Sequence, residues 1–382
     1  MRFAYKYRLY PTKAQTEFLD GELREACSLY NAALEERIGA YKTCRKSINY
    51  YDQANQLKAM RFDGCLTLSN FSCCQDVLRR LDKTFKAFFA RVKRGEKPGF
   101  PRFRSFRRFD SITFPSYGDG CRLLDTGKLR IQGAGHIKVK LHRPVEGTIK
   151  TVTIKRQAGK WFVCFSVERS TSPLPESSDA VGIDVGLTSF AVLSDGTDIE
   201  NPRWYRAGQA KLRVAQRRVA RRPNKRSNRR RKAVVLLQKA HARTSNQRAD
   251  FQHKLSRKIV NRFGLIAVED LNVKGLASGM LAKSVHDAGW SQFLSYLTYK
   301  AEDAGRELVM VDPRGTSQTC TCGARVTKRL QDRWHSCPAC GLSAGRDYVS
   351  SHVILNRAGN RPSVANVEVS NSRVGREAVC FS

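Results

Sequence analysis

Two of the most apolar stretches of the chain end in acids. Val181-Gly182-Ile183 runs into Asp184, and Leu265-Ile266-Ala267-Val268 runs into Glu269. Acids are poor strand formers, and an unpaired carboxylate inside an apolar sheet is costly. A fold that buries both strands must therefore give these acids a shared cation or separate partners. Magnesium suits the first case. It takes oxygen ligands and retains waters, and two such ions about 3.5–4 Å apart can activate a water and stabilise the leaving oxygen of a phosphodiester. Asp347, at the start of the last apolar-periodic segment, is the third candidate ligand. Taken singly, each has a plainer reading: Asp184 as a turn cap, Glu269 as the partner of an arginine, Asp347 as an acid at a helix N-terminus. Asp270 points to the other sheet face if the strand continues, and is left out.

The frame around these acids decides between the readings. VGIDVG, FAVLSDG and TDIEN are three short strands separated by turn residues. A long basic helical stretch follows, broken at Pro223-Asn224, then the strand LIAVED at 265–270, a helix around 287–304 and the strand ELVMVD at 307–312. A strand-borne Asp opening a meander, a strand-borne Glu after an intervening helix and a helix-borne Asp near the end form the ribonuclease-H-like arrangement.

The first half of the chain reads differently. Phe3, Tyr5, Tyr7 and Leu9 alternate with charged residues as in a half-buried strand, which Pro11 ends. Thr12 and Gln15 form a capping box ahead of a helix, and a second helix runs from about Cys73 with Val77, Leu78, Leu81 and Phe85 on one face. From Gly95 the period changes to two, and a hairpin turns at Gln157-Ala158-Gly159-Lys160. These strands, with the N-terminal one, are expected to close a small barrel into which the helical unit is inserted. Residues 170–180, STSPLPESSDA, read as an interdomain linker, and the last 24 residues as a mobile tail.

Composition supplies the partner. Lys and Arg number 69 against 34 acids, a formal charge of +35 on a chain that is 41% hydrophobic. That excludes a disordered basic tail and points to a polyanion, nucleic acid above anionic membrane. No run of about 18 apolar residues is present to span a bilayer. The opening MRFAYKYRLYPTKAQTEFLD lacks the pattern of a signal peptide, so a cytosolic protein is expected. Residues 201–249 carry 17 Lys and Arg and no acid, with Arg217, Arg218, Arg221, Arg222, Arg229 and Arg230 about the helix break. A second basic concentration at 93–109 interleaves aromatics with arginines, Arg102 and Arg104 among them, which suits phosphate contact plus stacking on unpaired bases.

Of 12 cysteines, eight are scattered and expected to be reduced and packed. Cys320, Cys322, Cys337 and Cys340 fall close together, and four thiolates suit one structural zinc. The single residue between Cys320 and Cys322 is below the usual spacing, which leaves His335 as a possible substitute ligand.

RLYPTKAQ, FFARVKRGEKPGFPRFR, GIDVGLTSFAVLSDG, VEDLNVKGL, DAGWSQFLSYLTYKAE, TSQTC, CPACG and RDYVSS, in this order over nearly the whole chain, resemble the TnpB family, transposon-encoded RNA-guided DNA nucleases related to the type V CRISPR effectors. The resemblance implies an α/β multidomain protein. Its parts would be a wedge β-barrel (1–11 and 95–172), an inserted helical recognition domain (12–94), a linker (173–180), a RuvC-type nuclease domain (181–312 and 342–358), a zinc ribbon inserted in it (313–341) and the tail (359–382). It implies catalysis by Asp184, Glu269 and Asp347 with magnesium, two ions being expected, and one zinc on the four cysteines. It also implies a guide RNA from the transposon end, double-stranded target DNA, no membrane, and a bacterial or archaeal cytoplasmic, nucleoid-associated setting. The family's readers of a short motif beside the target fall near Tyr50, Gln75 and Ser116. Two departures stand out: the short Cys320–Cys322 spacing, and Gly345 where an acid is often found. Neither removes a carboxylate, so an active nuclease is expected over a nuclease-inactive RNA-guided regulator or a transposase acting directly on transposon ends.

Overall fold

The computed structural model describes residues 1–329 and 331–359; the expected tail, from residue 360 on, lies outside them. The chain divides into two compact units, Met1–Ser170 and the part from Thr171 onward. Among the described residues no helix is long and apolar enough to cross a membrane.

The first unit opens with strand β1 (Arg2–Tyr10) and three helices, α1 (Lys13–Cys44), α2 (Tyr50–Phe62) and α3 (Phe71–Lys93). Six strands follow: β2 (Ser111–Phe114), β3 (Cys121–Leu123), β4 (Lys128–Ile131), β5 (Gly135–Lys140), β6 (Thr148–Gln157) and β7 (Lys160–Glu168). They form one antiparallel sheet in the order β2-β6-β7-β1-β5-β4-β3. The N-terminal strand is thus central, pairing with β7 from Arg2 to Leu9 and with β5 from Arg8 to Tyr10. The order runs from β2 to β3 with no ladder joining the two ends, so the hydrogen bonding of the expected barrel is open there.

The Thr12 capping box is formed, with the Gln15 N–H donating to Thr12 Oγ1 at 3.3 Å and the Thr12 N–H to Gln15 Oε1 at 3.0 Å. Helix α2 is one of the elements that periodicity did not reveal, with the short strands β2 and β3. It buries only Gln53 and Leu57, too few apolar positions to make a stripe, and is held by polar anchors instead. Gln53 Nε2 donates to Glu36 Oε2 at 2.6 Å, and Arg37 Nε donates to Gln53 Oε1 at 2.8 Å.

The second unit contains β8 (Ala180–Val185), β9 (Ser189–Leu193), β10 (Asp198–Glu200), α4 (Trp204–Ala220), α5 (Asn228–Arg262), β11 (Leu265–Glu269), α6 (Val273–Leu276), α7 (Ala282–Ala288), α8 (Trp290–Ala304), β12 (Glu307–Val311), β13 (Trp334–Ser336), β14 (Ser343–Gly345) and α9 (Arg346–Arg357). Its five-stranded sheet runs β10-β9-β8-β11-β12. β8, β9 and β10 form the antiparallel meander, while β11 lies parallel to both β8 and β12. Val181, Ile183, Ile266 and Val268 pack with Phe190, Phe293 and Leu297 in the main core of this unit.

The segment expected as a linker is docked. The Ser172 N–H donates to Asp303 O and the Leu174 N–H to Ala304 O, both at 3.0 Å, and the Gly264 N–H donates to Asp179 O at 2.8 Å. Its prolines and serines deny it helix or strand, yet its backbone groups find partners along the second unit.

Candidate functional site

Three elements of the second unit carry the three acids. Asp184 lies near the end of β8, opposite Val192 of β9, and Glu269 ends β11, opposite Val311 of β12. Asp347 sits in the first turn of α9. All three line one cleft of about 360 Å³ with Gly186, Thr316, Arg333 and Arg346. Asp270 is exposed beyond the strand end.

A glycine brings α9 to the sheet. A Cβ at Gly182 would stand 1.9 Å from the backbone oxygen of Ser351 and 2.9 Å from Leu355 Cβ, so only glycine admits the helix this close to β8. Ser350 and Ser351 are buried in that contact and donate back to the carbonyls of Arg346 and Tyr348, which satisfies their hydroxyls within the helix.

Each outer acid is held by a neighbour. Thr316 Oγ1 donates to Glu269 Oε1 at 2.5 Å. Arg346 Nε donates to Asp347 Oδ1 at 3.1 Å, and the Arg333 guanidinium stands 3.9 Å from Asp347 Oδ2. The Asp184 carboxylate accepts from no side chain among the described residues. Burial, and then the charges of Glu269 and Asp347, raise it well above its usual range, with Arg346 opposing. Burial also raises Glu269, against the Thr316 hydrogen bond and the charge of Arg357. For Asp184 the charges of the two other acids outweigh that of Arg346, and oxygen donors of this kind are the class that divalent cations take.

The four cysteines meet a stricter test. Their sulfurs lie within 4.8 Å of one another, with Cys320 to Cys340 at 3.6 Å and Cys322 to Cys337 at 3.7 Å. A tetrahedron with zinc–sulfur bonds of about 2.3 Å has edges of roughly 3.8 Å. Tight turns make this possible: the Gly323 N–H donates to Cys320 O and the Gly341 N–H to Cys337 O, both at 2.9 Å, and both glycines have positive φ. The one-residue spacing is thus absorbed by the turn at Gly323. Burial raises the Cys337 thiol, but the backbone N–H groups of Cys340 and Ala339 outweigh it and hold it down to about 7. His335 is buried with its Nδ1 against the Lys328 ammonium and stands outside the group, so the four thiols need no substitute. The cluster is able to bind a structural zinc.

Comparison with known proteins places the chain. A family model described as "Probable transposase" matches residues 162–279, "Cas12f1-like, TNB domain" matches 290–354, and "Helix-turn-helix domain" matches 1–46, where the structure has β1 and the single long helix α1. A protein of Streptomyces pristinaespiralis named "Putative RNA-guided DNA endonuclease" is 35% identical over 98% of this chain and 95% of its own length. A TnpB-like protein of Acanthamoeba polyphaga mimivirus is 24% identical over 94% of this chain and 73% of its own. The chain belongs to the TnpB family. A further relative, "Putative RNA-guided DNA endonuclease InsQ" of Escherichia coli, is 28% identical over 92% of this TnpB-family chain and 91% of its own.

The nucleic-acid residues expected of a TnpB-family chain fall in separate places. Tyr50 and Gln75 line one cleft of about 950 Å³ between α2 and α3, with Arg79, Lys83 and Lys86. The Arg79 guanidinium lies 5.4 Å from the Tyr50 ring centre. Ser116 is exposed in the turn after β2 and does not line that cleft. Arg102 and Arg104 are exposed, and the backbone of Arg104 is clamped to Asn31 by hydrogen bonds of 2.7 and 2.9 Å. Around the α4–α5 break, Arg217, Arg218, Arg221 and Arg229 are exposed, whereas two arginines are occupied. Arg222 donates to Arg218 O at 2.5 Å, and Arg230 donates to Val219 O at 2.9 Å and to Arg222 O, satisfying carbonyls at the C-terminus of α4. Those two hold the helix break.

Sequence reasoning had no role for Thr316, Arg333 or Arg346. Thr316 sits in the TSQTC stretch quoted for the family likeness, and Arg346 directly precedes Asp347. Their positions, and not their types, carried the signal.

Proposed function

We propose that this chain is an RNA-guided DNA endonuclease that cuts double-stranded DNA beside a short motif, through a RuvC-type site on the sheet of the second unit. The observation that carries the reading is the meeting of Asp184, Glu269 and Asp347 in one cleft, each from a different element. The relatives named RNA-guided DNA endonucleases support it over most of the chain.

In this reading Asp184, Glu269 and Asp347 hold magnesium. When bound, magnesium lowers the pKa of water and offsets charge on the phosphate and the leaving oxygen. Thr316 fixes one oxygen of Glu269 and so orients the carboxylate; Arg346 does the same for Asp347. Arg333 lines the cleft with a cation able to hold a phosphate oxygen. The first unit, as wedge and recognition domains, would supply the motif readers Tyr50, Gln75 and Ser116, and Arg102, Arg104 and the exposed arginines of α4 and α5 would hold nucleic-acid backbone. The four cysteines are read as a zinc ribbon set in the nuclease domain.

The test is to purify the chain with the RNA it carries, sequence that RNA, and replace its guide segment. Magnesium-dependent cutting should move to the DNA that the new guide matches. Cutting of transposon-end DNA by RNA-free protein would favour a transposase instead, and guided binding without cutting would favour a regulator.

A further inference from the structure

Trp334 is the odd tryptophan of the chain. Trp161 and Trp290 are each 5% exposed and belong to cores, and Trp204 is half-buried, while Trp334 is 60% exposed. It is also held in place. Its Nε1–H donates to Ser343 Oγ at 2.8 Å across the β13–β14 hairpin, and its directly opposed residue is Gly345, which has no side chain to cover the ring. His335, one residue on, is fully buried on the other face of the hairpin. Exposing an indole costs hydrophobic burial, and fixing its orientation costs side-chain freedom, so the hairpin presents a rigid apolar face to solvent.

The surroundings say what that face would meet. Gly345 stands two residues before Asp347, and Arg333, the residue before Trp334, reaches within 3.9 Å of Asp347 Oδ2 and lines the acid cleft. Between Cys322 and Cys337 the chain carries Arg325, Lys328, Arg329 and Arg333 against the single acid Asp332, a net 4 − 1 = +3, with the Lys328 ammonium taken by His335 and Ser317 O on the other face. The Asp332 carboxylate is taken up locally, accepting from the Arg329 N–H at 2.7 Å. A fixed aromatic face next in the chain to Arg333, beside the acid cleft, matches a nucleic-acid strand with unpaired bases: the arginine takes a phosphate and the ring takes a base.

We infer that Trp334 is a stacking platform for one unpaired base of the DNA strand held in the acid cleft, and so a substrate-positioning residue of the cutting step. The inference rests on the nuclease reading of that cleft. A protein partner would fit the ring but has no use for the adjoining Arg333 aimed at the acids.

The experiment is single-turnover cutting by the full, guide-loaded chain, crossed with abasic nucleotides placed one at a time around the cut. Trp334→Leu keeps apolar bulk on the hairpin and removes the aromatic face; Trp334→Tyr keeps a face. Stacking of one base corresponds to roughly 5- to 150-fold. Trp334→Leu should slow cutting by that factor and Trp334→Tyr by far less, with zinc content unchanged in both. One abasic position should slow the unaltered chain as Trp334→Leu does, and should slow Trp334→Leu no further, the signature of a shared contact. Full multiplication of the two effects at every position, or an unaffected Trp334→Leu, overturns the platform. An unaltered chain that never cuts its guided target would defeat the nuclease reading itself, which separates the two failures.

Discussion

The cysteine cluster and the acid cleft lie in the same unit, and they are built in opposite ways. The four thiols come from a stretch of 21 residues, and two tight turns suffice to bring their sulfurs to 3.6 and 3.7 Å. The three carboxylates come from β8, β11 and α9, spread over residues 184–347, and only the strand pairing and the close seat of α9 on Gly182 bring them together. Local turns produce the first geometry and global packing the second. A cysteine site of this kind contributes folding energy when it binds metal, whereas an acid site of this kind is a load that the fold carries. Substitutions should therefore act with opposite signs on stability at the two sites.

The largest effect is expected from the acids on function. Alanine at Asp184, Glu269 or Asp347 should bring guided cutting to background while guided DNA binding, measured by filter retention or gel shift, stays within a few-fold of the unaltered chain. Strong magnesium-dependent cutting by any one folded variant would remove that residue from the site. Next comes Cys337→Ser. Structural zinc in small ribbons is worth on the order of 10 kcal/mol of apparent binding energy at neutral pH, so losing one thiolate should release the metal and loosen the segment. Metal analysis should show less than one zinc per chain, and limited proteolysis should cut between residues 313 and 345. Because β14 runs directly into α9, whose first turn carries Asp347, cutting should fall with it. Full zinc occupancy in this variant would contradict the four-thiol assignment.

The same contrast explains what the sequence revealed. The meander, the β11 and β12 strands, the break between α4 and α5 and the cysteine turns are written in local periodicity and turn residues, and they are legible. Asp184 and Glu269 were visible because an acid at the end of an apolar strand is locally anomalous. Helix α2 was not legible, since its anchors are Gln53 and Arg37 and not an apolar stripe. Nor was Thr316, whose hydrogen bond to Glu269 exists only after β11 and the loop after β12 have come together; Arg346 bonds its own neighbour Asp347, a contact that no residue pattern announces. The charge run about the α4–α5 break was legible as charge, but Arg222 and Arg230 spend theirs on helix carbonyls, a use that depends on the local backbone path. Segment 170–180 looked like a spacer because composition reports the lack of helix or strand and says nothing of docking.

The smallest predicted effect is also the sharpest test of the contrast. Asp184→Asn keeps the shape of the side chain and removes one of three clustered negative charges. In magnesium-free buffer with zinc retained, it should stabilise the fold at neutral pH by about 1 kcal/mol, the low end of what burying an uncompensated polar group costs. The pH dependence fixes the cause. A carboxyl whose folded value is raised keeps a proton that the unfolded chain releases, so its contribution is fully favourable below the ordinary value near 3.8 and is lost as pH rises through the folded value. The gap between Asp184→Asn and the unaltered chain should therefore be small near pH 4 and widen upward, in urea melts run as a pH series. Magnesium should then favour the unaltered chain, because ligand that binds only the folded state adds stability by mass action and the variant has lost a ligand. Cys337→Ser should destabilise with or without magnesium. A gap that ignores both pH and magnesium would mean that neither burial nor the neighbouring acids raise Asp184, and that the acid cleft is not the load on the fold that the contrast requires.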